Sequence, residues 1–326
     1  MRQPIFQGLR KDKDAKKVVK EVPIETADIT KPETAAASSE GGFTHLDKIY
    51  WPEEKYTKGD LIHYYEEAAP FILPYLKDRP IVLHRFPNGI TGQSFYQKDL
   101  LTGLPKGIKT IAVAHEEKDI HYLLIDDVKS LLFAVNLGSI DIHPFISRVK
   151  SLDSPDYCVI DLDPQAIEWQ HLIDAALTAH ALLDDLGVKH YCKTSGGRGL
   201  HIYIPLNAKY SFEQSKQFAH LIVTHVNDAL PKTTSLERSP KNRPKKVYLD
   251  YLQNRSAQTV VAPYSVRPRP GAGVSTPLEW DEVNYDLDPL NFNLKTIMKR
   301  LKKVGDIFKP VLGPGIDMAK ILKKIK

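Results

Sequence analysis

Asp161-Leu162-Asp163-Pro164 ends the apolar run Tyr157-Cys158-Val159-Ile160, and it places two acids where a buried strand meets solvent. Side chains at i and i+2 of a strand share a face, about 6–7 Å apart along the chain. Both carboxylates therefore aim at one spot. Two adjacent anions at the end of a hydrophobic run are costly unless something positive meets them. Hard carboxylate oxygens suit Mg²⁺ or Mn²⁺, and no soft ligand beyond Cys158 lies nearby. The bland alternative is a solvated strand end with two unpaired acids. Asp250 interrupts a second apolar strand, Val247 to Leu252, and there demands a metal or an arginine.

Between these acids lies Ser195-Gly196-Gly197-Arg198-Gly199-Leu200-His201, read as a strand, a glycine turn and a strand. Such a turn leaves backbone N–H groups free to form an anion nest, and Arg198 could grip a phosphate bidentately. His201 begins the next strand within reach of the same ligand, and Arg267 follows a strand read over 259–266. The alternative is a plain glycine hairpin with a surface arginine. Taken together, Asp161, Asp163 and Asp250 could hold two metals about 3.5–4 Å apart, the arrangement that serves phosphoryl transfer. Ser195, Arg198, His201 and Arg267 would form the anion cradle. No Gly-x-x-x-x-Gly-Lys-Ser/Thr run exists, so a P-loop is excluded. The chemistry indicated is nucleotidyl transfer; a metal-dependent phosphoesterase fits the cradle less well.

The elements that must position these groups alternate between strand and helix. The strand from Tyr157 is expected to stop at Pro164, which cannot donate to a ladder. Helical spacing over 167–186 ends at Gly187, and a second helix is expected over 211–230, with the strand 188–194 between them. Upstream, Thr57 reads as the N-cap of a helix through Leu76, kinked or split by Pro70 and Pro74. A strand over 81–86 follows, then Ser94 to Lys98, a hairpin of 111–115 with 121–125, a helix over 128–140 and an extended piece at 142–144. Lys48 and Lys58 flank Tyr50, Trp51 and Tyr56; this suits a phosphate-and-base surface, although solvated lysines beside core aromatics are commoner. Downstream, Ile297, Leu301 and Val304 mark an amphipathic helix, and 317–326 a short basic one; lysine faces of this kind are usually just solvated.

Composition sets the frame. A chain of 326 residues, 42% apolar and 26% charged, is ordinary globular material, and a net charge of +5 permits a polyanionic partner without requiring one. Two cysteines without a Cys-x-x-Cys argue against a zinc module and fit buried thiols in a reducing compartment. No apolar run is long enough to span a membrane, and no signal-peptide core is evident, so a cytoplasmic, nucleoid-associated protein is expected. Residues 1–41 read as a charged tail and linker, 42–314 as the main domain and 315–326 as a basic carboxy-terminal helix.

From about Phe43 to Pro314 the chain resembles the polymerase domain of bacterial ligase D, a branch of the archaeo-eukaryotic primase superfamily. The resemblance rests on Leu46-Asp47-Lys48, Thr57-Lys58-Gly59-Asp60, His84-Arg85-Phe86-Pro87-Asn88-Gly89, Phe95-Tyr96-Gln97-Lys98 and Val159 to Pro164. It continues through Thr194 to His201, Val247-Tyr248-Leu249-Asp250 and Ala262 to Arg267. It implies an α/β (α+β) primase-polymerase fold, with an RRM-like catalytic sheet packed against a second mixed sheet and flanking helices. It also implies extension of DNA 3′ ends during gap filling in non-homologous end joining, from nucleoside triphosphates, often ribonucleotides, with Mn²⁺ or Mg²⁺. By motif, Asp161, Asp163 and Asp250 would be the metal ligands and His115 an active-site histidine. Ser195, Arg198, His201, Arg267 and Gln253 would contact the nucleotide. Lys48 and Lys58 would bind a 5′-phosphate at a DNA end, Phe95 and Tyr96 would pack on the template, and Lys98 and Arg243 would touch DNA. Arg198 stands where family members often carry Lys, a difference in geometry that bears on metal preference or nucleotide affinity.

Pro4 to Lys13 resembles the closing segment of an ATP-dependent DNA ligase, yet no Lys-x-Asp-Gly adenylation motif is present. A ligase domain in the same or a neighbouring chain and a Ku-type protein are therefore the expected partners, with no membrane. Chain initiation of the primase type and non-catalytic bridging of DNA ends are the alternatives.

Overall fold

In the computed structural model, which describes residues 42–324, Ile49–Trp51 (β1) and Tyr56–Thr57 (β2) pair antiparallel and lead into helix α1, Lys58–Leu76. The expected tail 1–41 lies outside the described residues. Thr57 and Asp60 cap α1 reciprocally: Asp60 N donates to Thr57 Oγ1 at 3.1 Å and Thr57 N to Asp60 Oδ2 at 2.9 Å. Pro70 and Pro74 do not split α1. Pro70 is exposed, as is Glu66, whose carbonyl Pro70 leaves unbonded, so water can satisfy it.

An antiparallel sheet follows, built from Pro80–Arg85 (β3), Phe95–Gln97 (β4), Lys109–Val113 (β5) and Ile120–Leu124 (β6). Helix α2, Val128–Asn136, stops short of the expected Ile140 because Gly138, at φ +88°, turns the chain into a fifth strand, β7, Ser139–Pro144. β3 is central, with β7 along one edge and β6 and β4 sharing the other.

The second half builds a six-stranded sheet from Tyr157–Gln165 (β8), Tyr191–Thr194 (β9), Leu200–Pro205 (β10), Thr234–Ser235 (β11), Lys246–Asp250 (β12) and Pro277–Leu278 (β13), with helices Trp169–Asp185 (α3) and Phe212–Ala229 (α4). Its order is β11-β12-β8-β10-β9-β13, antiparallel except for the β11–β12 pair. β8 runs through Pro164 to Gln165 rather than stopping there. Beyond Leu162 the neighbour β10 has ended, so Pro164 pairs on one side only, opposite Val247, and its missing N–H costs no ladder bond.

Alternation along β8 divides the interior. Cys158, Ile160 and Leu162 pack with Leu172, Ile173 and Phe218 of α3 and α4, while Tyr157 and Val159 join the core shared with α1 and the five-stranded sheet. Asp161 and Asp163 continue the second of these faces. The strand expected over 259–266 is not one. Val260 and Ala262 donate to Pro144 and Ile142 of β7 without forming a regular ladder, and Pro263 and Tyr264 (φ +65°) break the segment.

Ile297–Val304 forms α5, and Met318–Leu322 forms a short helix, α6. Ile316, Met318 and Ile321 are buried in the core beneath α3 and α4, and Ile316 N donates to Pro205 O at 2.9 Å. From Phe43 onward the described residues form one compact unit. Among the described residues no helix is long and apolar enough to cross a membrane.

Candidate active site

Register on the six-stranded sheet sets four ionisable side chains in a row across four strands. Asp250 on β12 faces Asp161 on β8, Asp161 faces His201 on β10, and His201 faces Lys193 on β9. Directly opposed residues share a sheet face, so the row is continuous. Asp163, two residues beyond Asp161, extends it towards solvent. Asp161, Asp163 and His201 floor a cleft of about 300 Å³ whose walls include Ser195, Arg198, Gln253, Arg267, Arg269 and His143, whereas Asp250 and Lys193 do not line it.

Electrostatics separate these groups. Burial pushes the Asp161 carboxyl up to about 6, against the pull of Lys193 and Arg267. Asp163 also rises to about 6, chiefly because of the Asp161 charge beside it and secondarily through burial, in keeping with a side chain open to the cleft. Burial raises Asp250 too, although Leu252 N donates to its Oδ1 at 2.7 Å and Gln253 Nε2 to its Oδ2 at 3.3 Å. Lys193, fully buried, is lowered to about 7 by burial; its Nζ donates to Ser275 Oγ at 2.6 Å. Burial and then the Lys193 charge hold His201 well below its usual range.

The donor set fits divalent cations. Asp161 Oδ1 is buried without a hydrogen bond: His201 Nε2 approaches to 3.2 Å but off the hydrogen-bond line. Three hard carboxylates, one of them with such an orphaned acceptor, are donors of the type that suits Mg²⁺ or Mn²⁺. They share a face without converging tightly. Among the described residues, the triads whose donor atoms all lie within 4.8 Å of one another are instead His84–Asp141–His143 and His180–Asp184–His190. Three like charges repel, whereas a histidine pair closes on an acid.

The glycine turn is arranged differently from the expected open nest. Ser195 Oγ accepts from Gly197 N at 3.2 Å and Gly199 N at 3.0 Å, and Thr194 Oγ1 accepts from Gly196 N at 3.4 Å. Local hydroxyls thus satisfy the amides, and the turn presents the Arg198 side chain and the Ser195 hydroxyl instead. Glycine is required by space. A Cβ on Gly196 (φ +72°) would lie 2.6 Å from Arg267 Cγ, and one on Gly199 would lie 2.7 Å from Leu162 O.

The histidine that lines the cleft from the five-stranded sheet is His143 on β7. His115 does not line it. It lies in the β5–β6 turn, with Nε2 3.0 Å from the Tyr122 hydroxyl. Arg243 is buried with its guanidinium 3.8 Å from the Tyr248 ring centroid, so it packs on β12 rather than projecting from a loose loop.

A second cationic site gathers where α1 begins. Lys58 is buried, and its Nζ donates to Asn136 Oδ1 and Thr44 O, each at 2.8 Å, while Lys48 Nζ donates to Asn88 Oδ1 at 2.6 Å. Burial, helped by the charges of Lys48 and Arg85, lowers Lys58 to about 8. Arg85 packs over Phe95, 5.2 Å from its ring centroid. Phe95 and Tyr96 are exposed on β4, and Lys98 just beyond it is exposed as well.

Sequence reasoning missed Lys193, Asp141, His143, Arg269 and Asn254. Asn254 bridges the interior of β8, accepting from Val159 N at 2.8 Å and donating to Val159 O at 2.6 Å. For Lys193 a signal was present: a lone cation inside an apolar strand is as demanding as Asp250.

Residues 57–308 match the family model described as LigD, primase-polymerase domain. The chain is 32% identical over 312 residues to the multifunctional non-homologous end joining protein LigD of Pseudomonas aeruginosa, covering 94% of this chain and 37% of that protein. It is 36% identical over 265 residues to the bifunctional non-homologous end joining protein LigD of Bacillus subtilis, covering 81% of this chain and 43% of that one. The chain thus spans about two fifths of the length of these relatives. The polymerase domain of Mycobacterium tuberculosis Ligase D, solved in complex with DNA, superposes with a TM-score of 0.79 at 26% identity, covering 85% of this chain and all of that domain. With its family model covering most of the described residues, the chain belongs to the LigD primase-polymerase domain family.

Proposed function

We propose that the chain is a DNA-end polymerase that adds nucleotides to a primer 3′ end at gaps and breaks, in the setting of non-homologous end joining. It would take nucleoside triphosphates, with a preference for ribonucleotides. The carrying observation is the Asp161 carboxylate, buried with an orphaned oxygen, in register with Asp250 and facing a wall of arginines. Asp161, Asp163 and Asp250 would hold two divalent ions, Mn²⁺ or Mg²⁺. When bound, such ions activate the attacking hydroxyl and offset charge on the triphosphate and its leaving pyrophosphate.

The chain's own residues do the rest. Arg198, Arg267 and Arg269 line the cleft with fixed positive charge matched to a polyphosphate, and the Ser195 hydroxyl adds a donor at its edge. Gln253 holds the Asp250 carboxylate, and His201 lies against Asp161. Lys48 and Lys58, with Arg85 beside them, offer a cationic pocket for a 5′-phosphate, and exposed Phe95 and Tyr96 a platform for an unpaired base. Exposed Lys98 would add to the DNA surface. Burial of the Lys58 ammonium favours a partner that restores its charge, as a phosphate would.

The test is primer extension on a gapped, 5′-phosphorylated duplex, with Mn²⁺ and Mg²⁺ tried separately and ribonucleotides set against deoxyribonucleotides. Extension that disappears in Asp161→Ala is expected. Normal extension by that variant would sink the proposal, synthesis on primer-free single strands would favour a primase, and end binding without incorporation in any metal a bridging module.

A further inference from the structure

Next to the cleft, the five-stranded sheet carries a second buried acid, and its surroundings differ sharply from those of Asp161. Asp141 on β7 is 1% exposed. Its Oδ1 lies 3.0 Å from His84 Nδ1, and its Oδ2 lies 2.9 Å from His143 Nε2 and 3.1 Å from Arg267 Nη1. Burial disfavours its charge, but His143, His84 and Arg267 more than compensate and hold the carboxyl far below the usual range. Two of these partners, His143 and Arg267, line the cleft. The third leads away from it. His84 faces Asp141 across β3–β7 and Tyr96 across β3–β4, and its ring stacks on the Tyr96 ring with centroids 4.1 Å apart and planes 11° apart. Tyr96 is 60% exposed.

A continuous row thus runs Tyr96–His84–Asp141 across three strands and ends on the two groups that wall the cleft. Its inner contacts are close polar approaches to a buried carboxylate, and its outer contact is a flat ring face available to a nucleobase. A buried carboxylate shared among three partners cannot adjust to one without shifting its hold on the others, because no water can replace the lost contact. We infer that Asp141 is a positioning residue for Arg267 and His143, and that through His84 it couples occupation of the Tyr96 face by an unpaired template base to the affinity of the cleft for a nucleoside triphosphate. This rests on the polymerase reading above.

The experiment measures binding of a nucleoside triphosphate to the full chain with Mn²⁺, with and without a duplex bearing an unpaired template overhang. In the wild type the DNA should tighten nucleotide binding by about fivefold or more, the lower range of ordinary coupling between sites. His84→Phe keeps a ring beneath Tyr96 but cannot reach Asp141; whatever its affinity for nucleotide alone, adding the DNA should no longer tighten that affinity. Tyr96→Ala, a change on the exposed surface that leaves the core intact, should lose the enhancement too. Asp141→Asn should weaken nucleotide binding whether or not DNA is present. Full enhancement in both His84→Phe and Tyr96→Ala, or a wild type that binds both ligands without enhancement, would overturn the coupling alone. A wild type that binds no triphosphate would remove the polymerase reading and the coupling together.

Discussion

Asp161 and Asp141 are both buried, one on each sheet, and they illustrate opposite ways of carrying an interior charge. Asp141 is surrounded by two imidazoles and a guanidinium, which keep it ionised. Asp161 has two more acids for neighbours and a raised pKa. A charge the protein neutralises itself stays ionised and fixed in place. One that it leaves exposed to like charges serves a partner from outside.

The sharpest way to break this contrast is to delete each acid. Asp141→Ala strands three cationic or polar partners in the interior and should cost about 3–5 kcal/mol in urea unfolding. Asp161→Ala should leave stability unchanged or raised while incorporation falls by at least about 10²-fold, the loss typical of removing one preorganised electrostatic group. Equal loss of stability in both would dissolve the distinction.

The pH dependence sharpens it further. Asp161 and Asp163 titrate near 6 in the fold, above the ordinary carboxyl value near 4, so between those pH values the folded state binds more protons. Metal-free stability should therefore decline as pH rises through that window. Asp141 contributes the other way, with stability lost only in strong acid as its lowered pKa is crossed, so it is constant across the same range. Mn²⁺ should raise the melting temperature by several degrees more at pH 7.5 than at pH 5. An equal rise at both would argue that the strand-end acids do not bind it.

A smaller effect is expected at the turn between the sites. Gly199→Ala would set a Cβ 2.7 Å from Leu162 O and 3.1 Å from Asp163 Oδ1, pushing on the strand end that carries the acids. It should cost about 1–3 kcal/mol and lower the rate of incorporation more than it alters nucleotide KM. A variant as stable and as fast as the wild type would show that the strand end yields freely.

How much of this the sequence discloses depends on whether a signal is local. An apolar run ending in acids, a Thr-x-x-Asp cap and a glycine at a helix end each record their cause within a few residues, and all three are seen where expected. The same local rule misplaces the end of β8, because whether Pro164 breaks a ladder depends on where β10 stops. His115 and His143 look alike as lone histidines, and tertiary packing brings only His143 to the cleft. Asp141 and His143 alternate with Ile142 in the same i, i+2 pattern as Asp161 and Asp163, a parallel visible in the sequence once Asp141 is known to be buried. Lys58 shows the limit: an N-terminal helix lysine reads as solvated, and only the folded surroundings enclose its amine.

The carboxy-terminal segment has a practical bearing. It is stitched to the back of the six-stranded sheet by Ile316 N to Pro205 O and by Tyr210 Oη to Ile316 O at 3.1 Å, and Lys324 Nζ reaches Leu186 O at 2.9 Å. A chain shortened at residue 314 would strip Ile316, Met318 and Ile321 from an apolar seam and leave a sticky strip on the side away from the cleft. Self-association of such a truncated protein would then reflect the missing clasp rather than any natural tendency of this domain to pair.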